Sequence, residues 1–193
     1  METLGRRTRE TVDLCVWRGS HTVLVSQYAS DQELRVVSPI STAFPTHCAA
    51  HGKALLSEQT DDVISALLPQ LNDVRTLNTL RDPQLLLKAI QQVREQGYAV
   101  DREEHARGVC GISVALNTGS GERYALAIAV PSLRFDEQFP QLLAALLQAN
   151  WKSSRCWSVS NTKPPRRRLN IVVASLFIQL EPSCARGCWC WLQ

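Results

Sequence analysis

The stretch Pro45-Thr46-His47-Cys48-Ala49-Ala50-His51-Gly52-Lys53-Ala54-Leu55-Leu56 and, further on, Arg94-Glu95-Gln96-Gly97-Tyr98-Ala99-Val100-Asp101-Arg102-Glu103-Glu104-His105-Ala106-Arg107-Gly108-Val109 decide how the chain is read. In the first, a loop over residues 41–46 leads into a helix expected over 47–56. In the second, Gly97 ends a helix, because glycine enters the left-handed conformation at no steric cost. A short strand over 98–100 then runs into the polar cluster Asp101, Glu103, Glu104 and His105.

Working outward, the helix that Gly97 closes is the clearest in the chain. Asp82 stands at its N-cap, Pro83 in its first turn, and Leu86, Ala89, Ile90 and Val93 on one face. Before it, Thr60 resembles an N-cap with Asp61 and Asp62 set favourably against the helix dipole, for a helix ending near Leu68. Toward the N-terminus, Val12, Leu14 and Val16 alternate with Asp13, Cys15 and Trp17, and residues 22–25 follow across Arg18-Gly19-Ser20. That pattern predicts a β-hairpin, with a third strand over 34–37 closed by Pro39. Downstream, residues 109–116 and 124–130 flank Thr118-Gly119-Ser120-Gly121 as a second hairpin. A last amphipathic helix from Asp136 to about Asn150 carries Phe139, Leu142, Leu143, Leu146 and Leu147 at helical spacing. Strands, helices, strands, helix imply an α+β fold around an antiparallel sheet.

With 193 residues, 45% hydrophobic and 20% charged, the chain has the composition of one globular domain plus a tail. The net charge of +3 is uneven: residues 1–150 hold 14 Lys/Arg against 17 Asp/Glu, and residues 151–193 hold 7 against 1. The body therefore offers no general electrostatic footprint for nucleic acid. Seven cysteines without a leader-like N-terminus suggest reduced thiols in the cytoplasm. No apolar run approaches the roughly 18 residues that span a bilayer, so no membrane partner is expected.

At this spacing and in this order, the two opening stretches and their surroundings over residues 4–150 resemble bacterial IclR-type transcriptional regulators, whose effector pocket they would wall. The resemblance implies a GAF-like antiparallel sheet flanked by helices. It implies that residues 1–10 are the end of a linker helix and 11–152 an effector-binding domain. It places the winged helix-turn-helix DNA reader of such regulators ahead of Met1, so that DNA is contacted only through a domain absent here and Met1 marks a truncated or mis-assigned start. A homodimer or tetramer is implied as well.

Carried across from relatives with small carboxylate effectors, the pocket positions are Leu34, Ala50, His51, Asp101, Val109, Gly111, Ala127 and Ala129. A helix N-terminus presents unpaired N–H groups and positive dipole, which suits a carboxylate at Ala50 and His51. A protonated His51 would add charge. Members that bind glyoxylate- or pyruvate-like acids have Ser where this chain has Ala127 and Ala129, and Cys where it has Gly111. The implied ligand is therefore a small organic acid that is larger or more apolar on that side, such as an aromatic acid or a catabolic intermediate.

Two further chemistries are conceivable for these residues. His47 and His51, at i and i+4 on one helical face with Cys48 or Asp101, are weak metal candidates lacking a fourth ligand, and no metal or other cofactor is expected. Cys48 could serve a Cys/His hydrolase-like enzyme with Asp101 as orienting carboxylate, but an Ala-rich turn shows no thiolate-stabilising feature, so no enzyme is expected. A nonfunctional truncated fragment is the third alternative.

After Trp151 composition shifts. Four of the five Trp and four of the seven Cys fall in residues 151–193, with Arg166-Arg167-Arg168 behind Pro164-Pro165. The spacing of Cys184, Cys188 and Cys190 has no paired ligand for zinc. Residues 153–193 are expected to be an irregular, disordered or out-of-frame tail.

Overall fold

The computed structural model describes residues 1–157 except 117, 119 and 120. Expectations for the tail beyond 157, its cysteines and arginines included, lie outside the described residues. The elements are α1 (Glu2–Thr8), β1 (Thr11–Arg18), β2 (His21–Tyr28), β3 (Ala43–Pro45), α2 (Ala50–Ser57), α3 (Asp61–Leu67), α4 (Pro83–Gln96), β4 (Ala99–Arg102), β5 (Val109–Leu116), β6 (Tyr124–Pro131) and α5 (Ser132–Trp157). The six strands form one sheet in the order β3-β2-β1-β6-β5-β4, with antiparallel pairing throughout. The α+β class and both expected hairpins are present.

Each face of this sheet is covered by helices, so side chains of both parities are buried along the central strands. On one face Val12, Cys110, Ile112, Val114, Leu126, Ile128 and Val130 pack against Leu4 of α1 and Phe135, Leu142, Ala145 and Leu146 of α5. At roughly 1.5–3 kcal/mol for each large apolar side chain fully buried, this layer, the largest single apolar cluster, is a major driving force of the fold. On the other face α2 lies on β5 and β6 and is backed by α4. Leu56, Ile64, Leu71, Leu86 and Ile90 form a second apolar cluster there.

Local signals hold where the chain is self-sufficient. The Asp82 carboxylate accepts from Gln84 N–H at 2.8 Å, and Gly97 closes α4 at φ 82°. Thr60 caps α3 by accepting from Val63 N–H, with Asp61 and Asp62 in the first turn.

Three boundaries differ from expectation. Residues 34–37 are not a strand; the third strand is Ala43–Pro45, inside the segment expected to be a loop. Leu34 and Val37 are about half exposed, with no neighbour to bury an alternating face. Instead Ser41 N–H donates to Leu24 O and Leu24 N–H to Thr42 O, so the β2 ladder takes up the later segment. Helix α2 starts at Ala50 and not His47, because Ala49 is still extended at φ −89°, ψ 146°. Helix α5 starts at Ser132, directly off β6, and continues through Pro140 to Trp157.

Candidate functional site

The antiparallel register lines up two rows on the α2 side of the sheet. One runs Asp101, Gly111, Ala129, Thr11, and the next Ala99, Ser113, Ala127, Asp13. Helix α2 lays its first turn on the first row. A Cβ placed on Gly111 would stand 3.4 Å from the Ala50 Cβ and 3.9 Å from that of Asp101. The descent of α2 depends on Gly52, where a Cβ would come within 2.1 Å of Thr46 O. At the start of α2, Ala49 supplies no side-chain cap. Its first N–H groups receive no side-chain bond from the Ala49 cap, and they carry the positive end of the helix dipole.

The polar groups around this turn are strongly shifted. Asp101 is buried, and its Oδ1 accepts from Glu104 N–H at 2.7 Å and His105 N–H at 3.4 Å. Burial, helped by the nearby Glu104 carboxylate, pushes its pKa up to about 7. Asp13, held by Gln27 Nε2 at 2.8 Å, is raised by burial to about 6. His51 is paired at Nδ1 with the Thr22 hydroxyl at 2.8 Å. Burial and the neighbouring His105 lower its pKa to about 3. His51 is thus a neutral imidazole at physiological pH, which corrects the expectation of a protonated one. His105 is likewise lowered to about 4, chiefly by burial. The Phe44 ring stands edge-on to both, with centroids 5.0 Å from His51 and 5.0 Å from His105.

The cation of α2 faces another way. The Lys53 ammonium is bonded to the Glu104 carboxylate, and both side chains are nearly sealed. This pair lines a recess of about 250 Å³ between α4 and β4, together with Gln92, Gln96, Leu80 and Val100. Glu104 joins it to the site through the bond from its N–H to Asp101.

Of the residues singled out in the sequence, Ala50, Asp101 and Gly111 meet directly, and the register sets Ala127 and Ala129 beside them. His51 follows Ala50 in the same turn of α2, and Val109 pairs with Pro131 at the end of the same face. Leu34 is placed elsewhere: it is 54% exposed in the β2–β3 connection, and its carbonyl accepts from Arg134. His47 precedes α2, so it shares no helical face with His51, and its Nε2 pairs with Asp73 O at 2.9 Å. Among the described residues no group of three or more His, Cys, Asp or Glu is placed to hold a metal ion. The Cys48 thiol is pushed up to about 12 by burial and by the Asp101 carboxylate, so it is not a thiolate nucleophile. Sequence reasoning passed over Asp13, Thr22 and Phe44. Only for Asp13 was there a usable signal, a carboxylate inside an otherwise buried β-strand.

The family described as bacterial transcriptional regulator IclR, C-terminal, matches residues 1–155. The chain belongs to this family. It is 36% identical over 144 residues to the HTH-type transcriptional regulator Rv1719 of Mycobacterium tuberculosis, covering 75% of this chain and 56% of that protein. With the HTH-type transcriptional regulator TtgV of Pseudomonas putida it shares 34% identity over 165 residues, 86% of this chain and 63% of TtgV. The chain thus spans little more than half the length of these curated relatives. Among solved structures, the C-terminal domain of the Escherichia coli transcriptional regulator KdgR matches with a TM-score of 0.70 and 30% identity, over 80% of this chain and 92% of that one. The transcriptional regulator YaiJ matches in fold with a TM-score of 0.76 at 24% identity, over 82% and 91% of the two chains. The IclR chain described here therefore has the effector-domain fold of transcriptional regulators. No helix among its described residues is long and apolar enough to cross a membrane.

Proposed function

We propose that the chain is the ligand-sensing module of an IclR-type regulator, binding a small organic acid without transforming it. The observation that supports this most is the uncapped first turn of α2, set directly over Gly111 and beside a buried Asp101. The N–H groups of Ala50 and His51 hold the ligand carboxylate, Gly111 lets the α2 turn come close to the sheet, and the small side chains of Ala127 and Ala129 beside it face an apolar or aromatic body. Occupancy shifts the domain between two arrangements. In a cytoplasmic homodimer or tetramer, that shift repositions winged-helix DNA readers supplied outside residues 1–157.

Asp101 sets the pH dependence of this binding. A ligand carboxylate beside it repels the ionised form and is stabilised by the protonated one, which donates a hydrogen bond. With a folded pKa of about 7, affinity for an acid is retained below that pH and falls above it, about tenfold per pH unit. Thermal melting with a panel of small carboxylic acids, benzoate included, at pH 6 and pH 8 tests this. The expected result is a saturable rise in melting temperature that is larger at pH 6. No saturable acid at either pH overturns the reading.

The neutral His51 and the missing hydroxyls at Ala127 and Ala129 favour a second reading, an uncharged aromatic ligand. Saturable binding of benzyl alcohol with no pH dependence would select it over the acid.

A further inference from the structure

The connection between β2 and β3, residues 29–42, has no regular structure and exposes Leu34, Val37 and Ile40, each by about half. Both of its ends are tied down. At the far end the pairing of Ser41 and Thr42 with Leu24 fixes it to β2. At the near end Ser30 Oγ donates to Arg9 O at 2.6 Å, and Gln32 Nε2 donates to Arg9 O at 2.8 Å and to Glu10 Oε1 at 3.1 Å. Arg9 and Glu10 are the junction between α1 and β1, with Arg9 in the left-handed conformation at φ 58°.

One side chain from a third element closes this arrangement. Arg134, in the first turn of α5, donates from Nε to Glu10 Oε1 at 2.5 Å and from Nη2 to Glu10 Oε2 at 2.8 Å. The same Nη2 donates to Leu34 O at 2.9 Å. Glu10 is fully buried, so its carboxylate has to stay with its partner: a buried charge left uncompensated is strongly unfavourable. The guanidinium is a rigid planar fork, and a move that keeps Leu34 O in reach reorients the bonds to Glu10.

We propose that Arg134 is a positioning residue that couples the Leu34 stretch of the connection, beyond the part that Ser30 and Gln32 bond directly, to the α1–β1 junction, so that displacement of that stretch displaces α1. What would displace it rests on the proposed function: the connection leads through β3 and Thr46 into the first turn of α2, where the ligand is placed. The coupling itself is independent of any ligand.

The test is hydrogen–deuterium exchange on the full chain without ligand. Two glycines inserted after Val37, outside the hydrogen-bonded cluster itself, lengthen and loosen the connection. With Arg134 present, exchange of residues 2–12 is expected to rise about tenfold, with α4 and β5 unchanged as the control for folding. In the Arg134→Lys background, where the ammonium lacks the rigid planar fork that holds both Glu10 oxygens and Leu34 O together, the insertion is expected to change exchange at 2–12 by less than about twofold. An equal rise in both backgrounds, or none with Arg134 present, overturns the proposal. Should Arg134→Lys disturb α4 or β5, Glu10→Gln is the background in its place, with the same two outcomes. Failure here leaves ligand binding untouched, and failure of every acid in the melting test leaves this coupling untouched.

Discussion

Asp101 shows how one buried side chain can carry a pH-dependent stability signature. Its pKa is about 7 in the folded chain against 3.8 for a free side chain, so the folded state holds a proton the unfolded state has lost. That contribution to stability is complete below about pH 4 and disappears as pH rises through about 7. Asp101→Asn keeps an acceptor for the Glu104 N–H and removes the titration. Chemical denaturation of the variant should therefore show a flatter pH profile, with higher stability than the wild type at pH 8 and convergence toward pH 5. A variant as pH-sensitive as the wild type would assign the titration elsewhere. Sequence alone marked Asp101 through the resemblance of its surroundings. It could not show that His51 would be neutral, because that depends on its burial between packed layers and on His105, a residue far from it in the chain.

At the scale of the element, α4 was fully legible because its signals are local. Its cap, its proline, its apolar stripe and its terminal glycine lie within one continuous stretch and agree with one another. Asp82→Ala should lower stability by about 1 kcal/mol, the usual cost of losing an N-cap, measured by denaturant midpoint at constant m-value. Helix α2 was legible in kind but not in its start, and β3 was misplaced. Both errors have one origin. Ala49 remains extended because the chain must reach the sheet before it turns, and Ala43–Pro45 becomes a strand because β2 offers it a free edge. Neither demand is written within the segment that obeys it.

At the scale of the molecule, the sheet is the plate on which the helices of the described residues are fixed, and its α5 face holds the largest of the apolar clusters. Leu146→Ala, at a position with no exposure, should cost about 2–5 kcal/mol and lower the melting temperature cooperatively across both faces. A loss confined to α5 in exchange measurements would show that the two layers fold separately. The sequence by itself determined the α+β class, the two hairpins and α4, because periodicity, caps and turns act over a few residues and survive in any context, and the regulator family through the resemblance of residues 45–56 and 94–109. Tertiary structure alone decided that Ala50 would stand over Gly111, that Leu34 would leave the site and bind Arg134, and that two carboxylates would be buried with raised pKa values. Those outcomes depend on strand register and on which surfaces the packed layers remove from water, and contacts between distant segments exist only once the sheet has closed.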